Sequence, residues 1–504
     1  MLQNTSFGQF NALELLPGSK LLKFDEETGV HRLLGDVGFK YQGNIMYCDS
    51  AHYHQREKLV YAYGNVHINK RDTLNLYCDS LMYNGGTRKA TLWGHVRVRD
   101  NEYKLSTDTL YYDAANSTAS YKYGGRVESI VSKEVLTSRI AYFYPDSKNF
   151  FFSRNVVYKG EGITMKTDTL QYLYSKRTTY FYGPTDIETP DARMHCRSGW
   201  YNTNTGEGTL QQDAWLKRGT EHFAGDTLIY RPQTGEAIGY GHVFYEDTTH
   251  QMNFSGDYAY SSDSLDYSFI SGHALATRQM EEDTLYLHAD TLHTYKLDSA
   301  DLVLAYHRGK VFSRAMQSVA DSIVYSSEEG KIKLYDKPIV WSRQAELKGA
   351  YMEIDVTDSS ILKVNIFVNS SILMEVEPEM YYNQIAGTDI VAYFKDNDLR
   401  RAVVNGNAIT LFFPEDEIVS DSSVVKKRMG MNRLYASALR IDIDSNEITG
   451  ITYTDEPDGV YYPMEKINKD EQFIPGFLWQ AILRPKNWED LIHDDHVELS
   501  VEED

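Results

Sequence analysis

His52 and His54 stand one residue apart, the spacing with which a strand turns two imidazoles to one side, as a metal site needs. No cysteine pair or aspartate cluster accompanies them, so they read as ordinary strand residues, with metal ligation the lesser alternative. The run His493-Asp494-Asp495-His496 lies in an acidic terminus and reads as a solvated tail. An aspartate followed by serine or threonine recurs, as at Asp79-Ser80, Asp108-Thr109 and Asp168-Thr169, and raises calcium as a ligand. Calcium-binding β-rolls need Gly-Gly-x-Gly-x-Asp about every nine residues. Here the aspartates stand singly about every 30 residues, so capping of a chain corner is the better reading. There is no phosphate loop, nucleophile elbow or His-Glu-x-x-His. The expectation is a protein without catalytic residues, bound metal or cofactor.

The apolar residues carry more. Leu81, Tyr83, Leu110, Tyr112, Leu170, Tyr172, Leu228, Tyr230, Ile323 and Tyr325 recur at one position of a repeat and would line one inner wall. Val66, Ile68, Val96, Val98 and Val243 would line the wall facing it. Two readings follow. The walls meet in a dry core that only holds them together, or they gape and the groove takes a long apolar ligand. Periodicity does not choose between them.

The repeat that places these residues is clearest from Leu74 to Val98. Leu76 and Cys78 alternate with polar neighbours, as in a half-buried strand. Leu81 and Tyr83 alternate in the opposite phase, so the strand must bend or bulge at Asp79-Ser80 to keep both pairs on one side. Thr91 and Trp93 lead into a second corner at Gly94-His95, and Val96 and Val98 resume beyond it. Asn84-Gly85-Gly86-Thr87 between them is a hairpin signal. The first corner recurs from Asp49 to Ala350 at gaps of about 30 residues, and polar turns fall on alternate rims. This predicts an all-β, elongated, V-shaped β-jellyroll of antiparallel strands, each bent at its middle. Residues 1–30 read as an N-terminal cap and 31–465 as one continuous array. Residues 413–432 read as an inserted charged loop, and 466–504 as a C-terminal tail with an apolar patch, Phe473 to Leu483. Cys48, Cys78 and Cys196 share one slot beside the corner, which elsewhere holds Thr107, Ser138, Ala289 or Gly349. The slot asks for a small side chain, so the cysteines read as packing residues. A bridge between Cys48 and Cys78 is the geometrically demanding alternative.

Composition sets outer bounds. The chain has 504 residues and a net charge of -21, which argues against nucleic acid as a partner. No run of about 18 apolar residues suggests a membrane-spanning helix. Met1-Leu2-Gln3-Asn4 has neither the basic start nor the apolar core of a signal peptide.

The order and spacing of Met46-Tyr47-Cys48-Asp49-Ser50-Ala51, Ala62-Tyr63-Gly64-Asn65-Val66-His67-Ile68 and Thr107-Asp108-Thr109-Leu110-Tyr111-Tyr112 resemble the OstA-like family. So do Thr167-Asp168-Thr169-Leu170-Gln171-Tyr172 and Tyr382-Asn383-Gln384-Ile385-Ala386-Gly387. That family includes LptA and the N-terminal domain of LptD, and this chain looks like its large Bacteroidetes-type members. The resemblance covers roughly residues 10–465. It implies a periplasmic protein that holds the lipid A acyl chains of lipopolysaccharide in the groove. It also implies partners of the same fold at either end, an inner-membrane complex and an LptD-type outer-membrane protein. The chain is far longer than a single bridge subunit of that family, so one molecule would replace several stacked ones. The competing readings are a structural envelope scaffold with a dry core and, less favoured, a glycan-active enzyme.

Overall fold

Successive strands lie side by side because the turns that join them are short and fall on alternate rims. The computed structural model describes residues 14–493, apart from 42–43, 71–72, 250, 281–282, 298–299, 327, 358–359, 421–422 and 445–446. Asp494-Asp495-His496 and the first 13 residues of the expected cap lie outside the described residues. Among the described residues the regular elements are β-strands and single turns of 3-10 helix, with no α-helix. The chain divides into two compact units, Met1–Gly219 with Ala224–Gln233, and Thr220–Phe223 with Thr234–Asp504.

In the first unit Asn44–His54 pairs antiparallel with Leu59–Lys70, which pairs with Leu74–Asn84, then Lys89–Arg99, then Tyr103–Asp113. The register slips at one level in every pairing, between Tyr47 and Ser50, Tyr63 and Val66, Tyr77 and Ser80, and Trp93 and Val96. An extra residue in a strand reverses side-chain parity beyond it. Leu76 and Cys78 therefore share a face with Leu81 and Tyr83, as the change of phase predicts. Gly94 and His95 both take left-handed angles, φ +77° and +50°. A Cβ on Gly94 would collide with the carboxylate of Asp79, so that position holds glycine.

The recurrent aspartates close these corners on the outside. His95 Nδ1 lies 2.7 Å from Asp79 Oδ2, Asn65 Nδ2 donates to Asp49 Oδ2 at 2.9 Å, and His273 Nδ1 lies 2.8 Å from Asp257 Oδ2. All are exposed, and exposed pairs add at most about 1 kcal/mol each. Their effect is to orient the bulge.

The second unit repeats the plan from Glu236–Asp247 through Gly430–Asp444. Two features were not read from the sequence. Residues 415–428, expected as a loop, form a hairpin of Glu415–Ser420 and Ser423–Arg428. The apolar patch of the tail has a partner. Residues 471–491 run back across the outside of one limb. Ile474 N donates to Gln384 Oε1 at 2.9 Å, Gln480 N to Glu346 Oε2 at 3.1 Å, and Arg484 Nε to Gln317 Oε1 at 2.7 Å. Ile474 joins Leu373, Leu411, Phe413 and Met431 in a buried cluster. With both faces of this limb covered, Ile372, Leu373 and Met374 are buried in succession. Alternation fails in strands buried on both sides, and this is why the pattern loosens after residue 355.

The three cysteines are free and buried, so Cys48 and Cys78 are not bridged. Burial pushes the Cys48 thiol up to about 11 and those of Cys78 and Cys196 to about 12, leaving them unreactive at neutral pH. At the same slot a Cβ on Gly256 would meet the Ile270 side chain at 2.7 Å, so the slot has no spare room. Replacing Cys78 with Leu is expected to cost about 1–3 kcal/mol through overpacking, and Cys78→Ala well under half as much. Chemical denaturation of the two variants checks this. Rapid thiol labelling of the folded wild type would contradict the packing account.

Candidate functional site

The inner face of the first unit can be followed residue by residue along its register. On one limb a single row runs Met46, Ile68, Leu76, Val98, Leu105, Val127, Leu136, Tyr158, Met165, Ile187, Met194, Leu216. The first four are half-buried, and every one from Leu105 onward is buried. On the other limb Tyr53, Tyr83 and Tyr112 are half-buried, while Phe143, Phe150, Tyr172 and Tyr201 farther along the sheet are buried. Deeper, beside the corner, Ala51, Ala62, Leu81, Leu92, Leu110, Phe152, Leu170 and Phe181 are buried throughout. The bottom of the V is therefore packed along the whole unit. The upper walls are uncovered over residues 44–100 and covered beyond.

The change coincides with contacts between the two rims. Glu102 and Glu134 lie in turns of one rim, Lys148 and Arg177 in turns of the other. Lys148 Nζ donates to Glu102 Oε1 at 3.0 Å, and Arg177 Nη1 donates to Glu134 Oε2 at 2.9 Å and to Ser132 Oγ at 3.1 Å. The Arg177 guanidinium sits 4.3 Å from the Tyr174 ring centroid, and the Tyr172 hydroxyl donates to Glu134 at 3.0 Å. Beneath this clasp the limbs touch. Tyr103 packs on Phe150 and Tyr174 with centroids 5.5 and 4.7 Å apart, and Tyr158 packs on Tyr172 at 6.1 Å. Burial holds the phenols of Tyr103, Tyr158 and Tyr172 above their usual range, and the Glu134 charge pushes the last two further. They remain protonated at physiological pH.

The second unit has its own rim-to-rim contacts. Arg278 Nη1 donates to the Tyr325 hydroxyl at 2.5 Å, Arg343 pairs with Asp398, and Ser342 Oγ donates to the Asn397 carbonyl at 3.2 Å. Leu285 and Leu287 on the inner face are half-buried, whereas Met352, Ile354, Val364 and Ile390 farther along are fully buried.

The expected lining residues divide by depth. Val66, Leu81, Val96, Leu110, Leu228, Val243 and Ile323 are buried next to corners. Ile68, Tyr83, Val98, Tyr112, Tyr230 and Tyr325 stand higher and are half-buried. Leu170 and Tyr172 lie under the clasp at 0% and 1% exposure, in contact with other side chains rather than with open space. His52 and His54 point outward, edge-on to Tyr63 and Tyr61. Among the described residues no group of three His, Cys, Asp or Glu side chains could hold a metal ion. The clasp residues were not singled out by sequence. In a turn, an isolated Glu, Lys or Arg carries no signal of a partner 46 or 43 residues away.

Arg177 and Glu134 are mostly shielded from water, whereas Lys148 and Glu102 are close to half-exposed. Arg177→Ala is expected to cost about 2–3 kcal/mol by leaving a shielded carboxylate unpaired, and Lys148→Ala less than about 1 kcal/mol. Denaturant midpoints of the two variants compare them, and equal small losses would show that the clasp contributes little.

No curated protein matches the sequence. A solved structure of LptH from Pseudomonas aeruginosa, the LptA-homologous periplasmic component of the lipopolysaccharide transport device, is similar at 13% identity. The similarity covers 29% of this chain and 95% of that one, with a TM-score of 0.22. Residues 18–168 match the family described as OstA-like protein, a span that holds the open walls and the start of the clasped segment. Over that span the chain is similar to OstA-like proteins.

Proposed function

We propose that the open inner face of residues 44–100 binds the acyl chains of lipopolysaccharide or a similar amphipathic glycolipid and passes it toward the outer membrane. The setting would be the periplasm, with OstA-like-fold transport components as partners, an inner-membrane complex on one side and an LptD-type protein on the other. The observation that carries this reading is the row Met46, Ile68, Leu76 and Val98, apolar and inward-facing yet only half-buried. Covering such surface is favourable by about 25 cal/mol per Å² and needs no specific polar partner. A chain can shift from one strand to the next with little change in contacts, which suits passage. No helix among the described residues is long and apolar enough to cross a membrane.

The filled segments favour a second role within the same molecule. Residues 103–216 enclose a dry, aromatic-rich core under the clasp, which suits a rigid spacer better than a ligand site. The scaffold reading is therefore kept for that segment.

An inward charge on the open wall should block binding without harming the fold, because the site keeps access to water. Leu76→Asp and Tyr83→Asp are expected to lower lipopolysaccharide affinity at least tenfold with an unchanged β-rich circular dichroism spectrum. Leu170→Asp, which would bury an unpaired charge, is expected to unfold the unit instead. Wild-type binding by folded Leu76→Asp and Tyr83→Asp would remove the groove reading.

A further inference from the structure

In the second unit one row of side chains lies under the tail. Gln317, Trp341, Glu346, Leu373, Gln384 and Leu411 are successive partners in the register, one from each of six strands. The tail tracks this row in reverse, from Glu471 against Arg433 to Trp488 stacked on Tyr286. Gln317, Glu346 and Gln384 are 5%, 0% and 0% exposed, and each accepts a hydrogen bond from the tail. Burying such groups without partners is costly, so the row and the tail are matched to one another. The tail is nevertheless seated shallowly. Ile474 and Leu491 are buried, whereas Leu478 and Ile482 stay 57% and 79% exposed. A segment held at a few points opens at lower cost than the strands beneath it. On release, the three polar side chains would face water rather than be stranded.

The tail also reaches the rim. Arg484 Nη1 donates to the Arg343 carbonyl at 2.6 Å. Arg343 takes a left-handed angle, φ +49°, in the turn between strands Ile339–Ser342 and Ala345–Lys348. Its side chain pairs with Asp398 on the facing rim, where Ser342 Oγ donates to the Asn397 carbonyl. One hairpin is thus gripped from outside by the tail and from across the opening by the other limb. We infer that the tail is a releasable strap that keeps the rims of the second unit tied. Docked, it fixes the hairpin where Arg343 and Ser342 meet the facing rim. Released, it lets the hairpin swing outward and uncovers the inner walls. The inference concerns the second unit alone and does not depend on lipopolysaccharide binding in the first.

Nitroxide labels on Gln344→Cys and Lys395→Cys, exposed positions on the two rims, test it in the full chain. Spin–spin broadening reads the rim separation, and hydrogen exchange of residues 471–491 reads docking of the tail. Cys48, Cys78 and Cys196 are buried and stay unlabelled. Arg484→Ala and Ile474→Asp are expected to speed tail exchange at least tenfold and to cut the broadening by half or more. Ile482→Ser, at an exposed position, is expected to change neither. Coupling between two sites is reciprocal, so Asp398→Asn on the facing rim is expected to speed tail exchange at least threefold. Thermal melting verifies folding, and Arg484→Ala decides the matter if Ile474→Asp does not fold. Wild-type broadening with a fast-exchanging tail, wild-type tail protection in Arg484→Ala, or wild-type tail exchange in Asp398→Asn would each overturn the proposal.

Discussion

Everything in this chain depends on a reversal of side-chain parity at the middle of each strand. Without the irregularity at positions such as Asp79-Ser80, Leu76 and Leu81 would point to opposite faces, and neither face would be apolar enough to bury. With it, each strand carries one apolar side around a corner. Stacking the corners in register builds a V whose apex is packed by Ala51, Ala62, Leu81, Leu92 and Leu110. Hydrogen bonds between neighbouring strands then propagate the bend, so each corner is held by those beside it.

The same apolar inner face takes two forms, uncovered and filled, and polar contacts between the rims accompany the filled one. Where the rims are tied, as by Glu134 with Arg177, aromatic side chains from both limbs fill the interior and exclude water. Over residues 44–100 the upper walls keep apolar surface in reach of solvent. The choice between groove and dry core is therefore made locally, by a few turn residues, although the repeat that builds the walls scarcely changes.

Much of the fold was legible because it is local. The change of phase at Asp79-Ser80, the glycines of the second corner and the small side chain at the Cys78 slot all follow from interactions within about 30 residues. The rim contacts were not legible, since Lys148 and Glu102 look like ordinary solvated turn residues until the strands between them are stacked. The docking of the tail was not legible for a related reason. Phe473 to Leu483 gains its partners from strands more than 40 residues earlier, such as those bearing Met431 and Gln384. The strands beneath it lose their alternation because the tail covers them. Leu170 and Leu81 look equivalent in the repeat and are both buried, but only Leu170 lies where the space above is filled.

The central claim is that acyl chains enter where the upper walls are uncovered and are excluded where the rims are tied. Site-specific incorporation of a photocrosslinking amino acid at Tyr83 and at Phe150, with ultraviolet exposure in the presence of purified lipopolysaccharide, tests it most directly. The account predicts a lipid adduct at position 83 and none at position 150. Equal adducts at both positions, or an adduct at 150 alone, would contradict it.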